Sequence, residues 1–145
     1  MIFLQAAARP SGPSAALLEL VEGGHNQLLI SIEVLEEICD VLCRPELTAK
    51  FKTLTSVFVA AFLEKLEYGS ELIRDVPRTF IYDRDPKDEK YVNLAIAGQA
   101  DFLVSRDRDL LDLDRTIEIR SKEGASDLLN IVDPITMLQL LRNAQ

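Results

Sequence analysis

Residues 79–109 read TFIYDRDPKDEKYVNLAIAGQADFLVSRDRD, and this stretch decides the fold class. Thr79–Tyr82 is a short β-like run, and Phe102–Ser105 is a second one. Between them, an aspartate cap with proline in the first helical turn predicts a helix over Asp85–Gly98. A strand, a helix and a second strand in this order are typical of parallel sheets, whose strands are joined by helical crossovers.

The remainder of the chain continues the same alternation. Hydrophobic periodicity and turn residues predict strands over Gln27–Ile30 and Thr116–Ile119, and helices over Ser14–Glu22, Ser31–Cys43, Ser56–Tyr68 and Pro134–Leu141. Ser14 is expected to cap the first of these helices, and Gly23-Gly24 to end it. The pattern predicts an α/β protein: a three-layer α/β/α fold with a short parallel sheet, formed as a single domain over residues 1–145.

The composition is that of an ordinary globular chain. Of 145 residues, 48% are apolar and 28% are charged, which supplies enough apolar material for a core. The net charge of −8 argues against binding nucleic acid through the whole surface, since that requires many clustered Lys and Arg. No apolar run reaches the ~20 residues of a membrane span, and the apolar N-terminal stretch has no basic leader. We therefore expect a cytoplasmic protein with no membrane association.

Side chains for nucleophilic or zinc chemistry are sparse. Cys39 and Cys43 lie four residues apart on a predicted helix, and neither a histidine nor a third cysteine is near enough in sequence to complete a zinc site. We interpret both as reduced side chains. The one histidine, His25, falls in a Gly-Gly-His-Asn turn and is expected on the surface. No glycine-rich phosphate loop occurs, so the carboxylates remain as candidates for the chemistry.

The helix after the first predicted strand carries a glutamate at the border of its apolar face. At about 100° per residue, apolar side chains fall on one face and three acids on the opposite one. The apolar set is Val34, Leu35, Ile38, Val41 and Leu42, and the exposed set is Glu33, Glu36 and Asp40. Glu37 lies between the faces, where a carboxylate is costly without a cation or hydrogen bonds. The pattern leaves two interpretations open: a site residue, or a glutamate that bends out to water.

Two further junctions between a strand and a helix carry aspartates. Asp88 lies in the first turn of the helix over 85–98, where the helix dipole alone would also favour an anion. Asp107 follows the end of the next strand by two residues, with Ser105 beside it. Asp85 is explained as a helix cap, and Asp109 as the cap of the short turn that follows it.

The three junctions together predict one site. Ligands of open parallel sheets bind outside the carboxyl ends of the strands, so Glu37, Asp88 and Asp107 are expected to converge there. A cluster of carboxylate oxygens suits a hard cation such as Mg²⁺ or Mn²⁺, which can activate water for phosphodiester cleavage. Basic residues surround two of the junctions and could hold a phosphate backbone. These are Arg84, Lys87, Lys90, Arg106 and Arg108.

The sequence resembles the PIN-domain family (PilT N-terminus-like), in particular the branch of toxin components of bacterial toxin–antitoxin pairs. The similar features are Ser31 with Glu37 six residues later, Arg44-Pro45, the motif Asp85-Pro-Lys-Asp88-Glu-Lys-Tyr, residues 100–111, and Ile131-Val-Asp-Pro134 before the final helix. The resemblance extends from near the first residue to that helix.

The resemblance implies an endoribonuclease that requires Mg²⁺ or Mn²⁺. It assigns metal binding and catalysis to Glu37, Asp88 and Asp107. Supporting positions are expected at Ser31, Ser105 and Asp109, and RNA contacts at Arg84, Lys87, Arg106 and Arg108. It further implies an antitoxin protein as partner, and a homodimer.

The N-terminus departs from the family pattern. Family members begin with a hydrophobic strand that ends in Asp-Thr-Asn and supplies the first metal ligand, whereas neither Asp nor Glu precedes Glu19 here. Residues 1–10 resemble the segment just after that motif. The resemblance therefore implies that the first strand and its aspartate are missing from residues 1–145. Either the natural start lies upstream, which the three remaining acids favour, or the protein is an inactive descendant.

Two alternatives follow from this departure and from the acids. One is a catalytically impaired PIN-like protein that binds an antitoxin-like partner or RNA without cleaving it. The other is a phosphoryl-transfer domain of the receiver type, which needs paired acids after the first strand and a lysine after the last, and the chain shows neither clearly. For residues 1–145 alone, we expect little or no cleavage of RNA and marginal stability.

Overall fold

The computed structural model describes residues 1–145 and divides them into two compact units, Met1–Leu72 and Ile73–Gln145. Helices and short strands alternate in both units, so the α/β class is confirmed. None of the eight α-helices has the length and hydropathy that crossing a membrane would require. The single domain predicted over residues 1–145 stays a prediction.

The first unit is mainly helical. Its elements are α1 (Ile2–Ala8), α2 (Pro13–Glu22), β1 (Leu28–Ser31), α3 (Ile32–Leu42), α4 (Pro45–Lys50), α5 (Ser56–Gly69) and β2 (Ser70–Ile73), whose last residue begins the second unit. Strand β1 pairs with β2. The predicted apolar face of α3 is confirmed, because Val34, Ile38 and Leu42 are almost fully buried. Its three predicted exposed acids are exposed.

Local signals set the helix ends of the first unit, with one exception. The hydroxyl of Ser31 accepts a hydrogen bond from the amide of Val34 at 3.2 Å, so the predicted cap of α3 is confirmed. The predicted cap of α2 is wrong, since Gly12 occupies the cap position. Ser14 is instead buried, and its hydroxyl donates to the side chain of Gln5 at 3.3 Å. Gly24 adopts a φ of 73° just after α2, a conformation that glycine tolerates and most residues do not.

The second unit carries most of the strands. After a 3₁₀ turn over Pro86–Asp88 come α6 (Glu89–Ala97), β3 (Phe102–Val104), α7 (Arg108–Leu111), β4 (Glu118–Arg120), β5 (Ser126–Leu128), β6 (Asn130–Val132) and α8 (Pro134–Asn143). Strands β3 and β6 are parallel, which confirms the predicted pairing type, and Leu103 lies opposite Ile131. Strands β4 and β5 form an antiparallel pair. The core contains Val92, Leu110, Leu129 and Ile131.

The strand predicted over Thr79–Tyr82 is wrong. This segment belongs to no sheet. The amides of Thr79 and Phe80 donate to the side-chain oxygen of Asn93, and the amide of Tyr82 donates to the carboxylate of Glu89. Side chains of α6 therefore occupy the hydrogen-bonding positions that a neighbouring strand would fill, and the segment remains extended without being a strand.

Candidate metal centre

The loop over Asp83–Asp88, called the acidic loop below, brings two of its aspartates into one turn. Asp85 caps the 3₁₀ turn as predicted, since one carboxylate oxygen accepts from the amide of Lys87 at 3.1 Å. Asp88 follows three residues later, at the start of α6. Its Oδ2 atom is inaccessible to solvent. At least one carboxylate oxygen of Asp88 therefore lies inside the protein rather than in solvent.

Asp107 lies at the junction between β3 and α7. Its Oδ1 atom accepts from the amides of Asp109 at 2.8 Å and Leu110 at 3.4 Å, so Asp107 is the cap of α7. The prediction that Asp109 caps this turn is therefore wrong. Ser105 is buried, and its hydroxyl accepts from the amide of Asp107 at 3.0 Å. The amide of Ser105 in turn donates to the carbonyl of Val132, which fixes Asp107 to the parallel strand pair.

The structure brings Asp85, Asp88 and Asp107 together. One carboxylate oxygen from each lies within 4.8 Å of the others. Two ligands on opposite sides of a magnesium ion are about 4.2 Å apart, because each lies at ~2.1 Å from the metal. Three carboxylates at these distances repel one another, and a divalent cation would offset that repulsion. The donor set consists of oxygens, so the residues fit Mg²⁺ or Mn²⁺.

Asp85 is the residue of this cluster that the sequence did not identify as a site residue. A helix cap already accounts for an aspartate at position 85, so the sequence gives no reason to expect a second role. The available signal was its spacing from Asp88, since three residues in a tight turn place two side chains near each other. Asp85 both caps the turn and supplies a carboxylate to the cluster.

Glu37 lies on α3 in the first unit and is not one of the three clustered acids. It is half-buried, while its neighbour Glu36 is exposed, as the helical phase predicts. The role of Glu37 as a metal ligand stays a prediction. Ser31, predicted as a supporting residue, caps the same helix.

The basic residues near the cluster fall into two groups. The guanidinium of Arg84 pairs with Asp109 at 2.5 Å and with Asp112 at 3.5 Å. The hydroxyl of Tyr82 donates to the carbonyl of Asp109 at 3.1 Å, next to that ion pair. Arg84 therefore links the acidic loop to α7. The other residues predicted to contact RNA, namely Lys87, Arg106 and Arg108, are exposed.

Two buried polar residues of α6 were also missed. Glu89 and Asn93 are 6% and 3% exposed, respectively. The Arg78 guanidinium is the main cause that lowers the pKa of the Glu89 carboxyl, and the hydrogen bond from the Tyr82 amide adds to it. The available signal was two polar residues four positions apart, one of which, Asn93, interrupts the apolar positions 92, 94 and 95.

The predictions for cysteine and histidine are consistent with the structure. Cys39 and Cys43 are free and exposed, and neither belongs to the candidate metal cluster. His25 is exposed in its turn. Carboxylate oxygens therefore remain the candidate donors for a metal site.

Comparison with known proteins identifies one family. The family model described as PIN domain matches residues 1–109. This range includes Glu37 and all three clustered aspartates. Among curated proteins and among solved structures, no significant match was found.

Proposed function

The chain belongs to the PIN-domain family, and we propose on this basis that it is a metal-dependent endoribonuclease. PIN domains are generally nucleases, and they usually act with a divalent metal. The finer parts of the proposal are RNA as substrate, Mg²⁺ or Mn²⁺ as cofactor, and a role as the toxin component of a bacterial toxin–antitoxin pair. An antitoxin protein as partner, a homodimer and a cytoplasmic location complete it.

The observation that carries the proposal is the cluster of Asp85, Asp88 and Asp107. These residues come from two separate turns of the second unit, yet one oxygen of each lies within 4.8 Å of the others. Asp107 is fixed through Ser105 to the β3–β6 pair, so the cluster is attached to regular structure. We propose that the three aspartates hold the ion and that Glu37 provides a fourth carboxylate.

The residues around the cluster suggest how a phosphodiester would be handled. A bound divalent ion would supply an activated water and offset the negative charge of the phosphate. Lys87, Arg106 and Arg108 are exposed and are proposed to contact the RNA backbone. Arg84 was predicted to join them, but its ion pairs with Asp109 and Asp112 favour a bracing role.

The two units are proposed to act as a single PIN-like domain. The family match over residues 1–109 continues across the boundary between Leu72 and Ile73. Glu37 and the clustered aspartates therefore belong to one family pattern, although they lie in different units.

The test measures Mn²⁺ binding by electron paramagnetic resonance and cleavage of single-stranded RNA with and without EDTA. Asp107→Asn is expected to weaken Mn²⁺ binding at least ~10-fold, because it removes a charged ligand, and to abolish cleavage in a chain extended upstream that is active on RNA. Glu37→Gln should abolish cleavage in that active, extended chain as well. Glu36→Gln is the matched control, since Glu36 is one residue away and exposed, and it should behave like the parent.

Each result has a clear meaning. Equal activity of the Glu36→Gln and Glu37→Gln variants would remove Glu37 from the site. Cleavage that persists in EDTA, or unchanged Mn²⁺ binding by Asp107→Asn, would overturn the metal-dependent mechanism.

A second candidate function is a catalytically impaired PIN-like protein that binds RNA or an antitoxin-like partner. The observation that favours it is that no Asp or Glu precedes Glu19, so residues 1–145 offer no counterpart to the family's first aspartate. RNA that is bound but not cut by residues 1–145, and is cut by a chain extended upstream to include such an aspartate, would show that this acid decides between the two functions.

A further inference from the structure

Helix α6 presents two polar side chains to the interior of the second unit. Glu89 and Asn93 are four residues apart and therefore lie on the same face of the helix, one turn from each other. Both are buried, at 6% and 3% exposure. Buried polar groups are retained where they form specific hydrogen bonds, so their partners indicate what they do.

Asn93 binds the extended segment through its whole amide group. Its Oδ1 atom accepts from the amide of Thr79 at 3.0 Å and from the amide of Phe80 at 2.7 Å. Its Nδ2 atom donates to the carbonyl of Phe80 at 3.0 Å. One side chain thus makes donor and acceptor contacts to the backbone, as a paired strand would.

Glu89 connects the two ends of the acidic loop, here called its neck, which are Tyr82 and Glu89 itself. Its Oε1 atom accepts from the amide of Tyr82, the residue before the loop, at 2.9 Å. Both of its oxygens also accept from Arg78, at 2.7 and 3.1 Å. Because Glu89 directly follows Asp88, this contact joins the two ends of the loop. Glu89 is not one of the three clustered aspartates, although it directly follows Asp88.

We propose that Glu89 and Asn93 are positioning residues of the metal centre. They hold Thr79–Tyr82 and the neck of the acidic loop in place, and thereby keep Asp85 and Asp88 within reach of Asp107. The inference rests on the proposed metal site. It adds that the site depends on two buried side chains that bind no metal.

The physical reason is that strand pairing does not fix this side of the cluster. Beyond Glu89 and Asn93, it is held by contacts of Tyr82 and Arg84 with Asp109. Asp107 is anchored through Ser105 to a strand pair. The acidic loop has no strand pairing before it, since Thr79–Tyr82 belongs to no sheet. Residues that orient metal ligands typically change metal affinity roughly 10- to 100-fold when they are replaced.

The experiment compares the full chain with three variants. Asn93→Leu keeps the branched shape and the number of heavy atoms of the side chain and removes its hydrogen bonds. Asn93→Asp is the second variant: it keeps the acceptor, but it loses the donor to Phe80 and places a charge one turn from Glu89. Asn130→Leu is the matched control: Asn130 is half-buried in the same unit and makes two side-chain hydrogen bonds, to Asp101 and Arg115.

Two quantities are measured for each variant. The first is the dissociation constant for Mn²⁺ alone, from electron paramagnetic resonance. The second is the hydrogen-exchange rate of the amides of Thr79 and Phe80 in EDTA, at a temperature where each variant is folded. Exchange reports the backbone contacts directly, and it does not require the metal site to work.

Asn93→Leu is expected to raise the Mn²⁺ dissociation constant roughly 10- to 100-fold. It should also accelerate exchange of the Phe80 amide about tenfold, since this amide loses its hydrogen bond to Asn93. The Thr79 amide should change less, because it also donates to the carbonyl of Pro77 at 3.1 Å. Asn93→Asp keeps the acceptor, so exchange of the Phe80 amide should be slower in it than in Asn93→Leu. Asn130→Leu should leave both quantities unchanged, even though it lowers stability. Because the control is also destabilised, a loss of Mn²⁺ affinity confined to the Asn93 variants cannot be an effect of stability alone.

Two results overturn the inference, and they differ from each other. If the parent binds Mn²⁺ and the Asn93 variants bind it equally well, Asn93 does not position the ligands, while the proposed function survives. If the parent does not bind Mn²⁺, the proposed metal site fails and the inference fails with it.

Discussion

Two extended segments lead into the aspartate cluster, and different parts of the protein hold them. Strand β3 precedes Asp107 and pairs with β6 through backbone hydrogen bonds. Thr79–Tyr82 precedes the acidic loop and is bound by the side chains of Asn93 and Glu89. Both segments place aspartates in the cluster, but backbone pairing holds one of them and side chains hold the other.

The difference determines how sensitive each half of the site is to mutation. Backbone pairing depends little on which side chains the strands carry, so the Asp107 side should tolerate most single substitutions. The acidic loop depends on two particular polar groups of α6. Removing the Asn93 amide group takes away hydrogen bonds to both the amide and the carbonyl of Phe80, and removing Glu89 takes away the one to the amide of Tyr82. Among residues other than the aspartates, we therefore expect mutations on the acidic-loop side to have the largest effects.

The first prediction has the largest expected effect and compares how much stability each side loses when a key hydrogen bond is removed. Asn93→Leu should lower the free energy of unfolding by about 2–3 kcal/mol, because it removes hydrogen bonds to two amides and one carbonyl of the segment. Ser105→Ala removes the one hydrogen bond to the amide of Asp107 and should cost about 1 kcal/mol. Urea denaturation at pH 7 in EDTA measures both. Equal losses would mean that the two segments are held equally firmly.

The same comparison shows what the sequence could predict and why. The start of α3 and its apolar face were predicted correctly because a capping serine and helical periodicity are local signals. The segment Thr79–Tyr82 has the β-branched and aromatic composition of a strand. Whether such a segment becomes a strand depends on a partner, and here the partners are side chains of a helix that lie seven to fourteen residues later. No local pattern in residues 79–82 could reveal that.

The site was predictable in part for a related reason. Asp88 and Asp107 follow from their places after β-like runs, together with the family resemblance. Asp85 was missed because a capping role explained it, and a sequence cannot show that one carboxylate both caps a turn and joins a cluster. The cap of α7 was assigned to Asp109 instead of Asp107, a shift of two residues within an Asp-Arg-Asp repeat that offers two equivalent caps.

The second prediction concerns how the stability contributed by Asp133, which follows strand β6, depends on pH. Asp133 follows β6 and caps α8, and the hydroxyl of Thr136, together with backbone amides, lowers the pKa of its carboxyl below the ordinary value of 3.8. Because the folded pKa is below the unfolded one, the stability from this carboxylate is present above pH 3.8 and is lost as pH falls through the folded pKa. Asp133→Ala should cost ~1 kcal/mol at pH 7, a typical value for a cap, and progressively less in acid.

Asp133→Asn is the control for this prediction. Asparagine caps helices about as well as aspartate but carries no charge, so its stability should not follow the same pH dependence. Thermal denaturation of both variants and the parent between pH 7 and pH 3 measures the difference. A gap between parent and Asp133→Ala that stays constant over this range would show that the charge of Asp133 contributes nothing.

The last and smallest predicted effect concerns the link between the two sides. Arg84 of the acidic loop pairs with Asp109 of α7, and their side chains are 59% and 31% exposed. Such a pair typically contributes no more than ~1 kcal/mol, and less at high salt, so a double-mutant cycle of Arg84→Ala and Asp109→Ala should give a coupling in this range.

If Arg84 braces the loop, Arg84→Ala should weaken RNA binding less than Arg108→Ala does, because Arg108 is exposed and has no such ion pair. Fluorescence anisotropy with a labelled single-stranded RNA, at two salt concentrations, compares the two variants. A larger loss of RNA affinity in Arg84→Ala, with the steeper change in salt dependence, would return Arg84 to the RNA-binding surface and make the bracing role secondary.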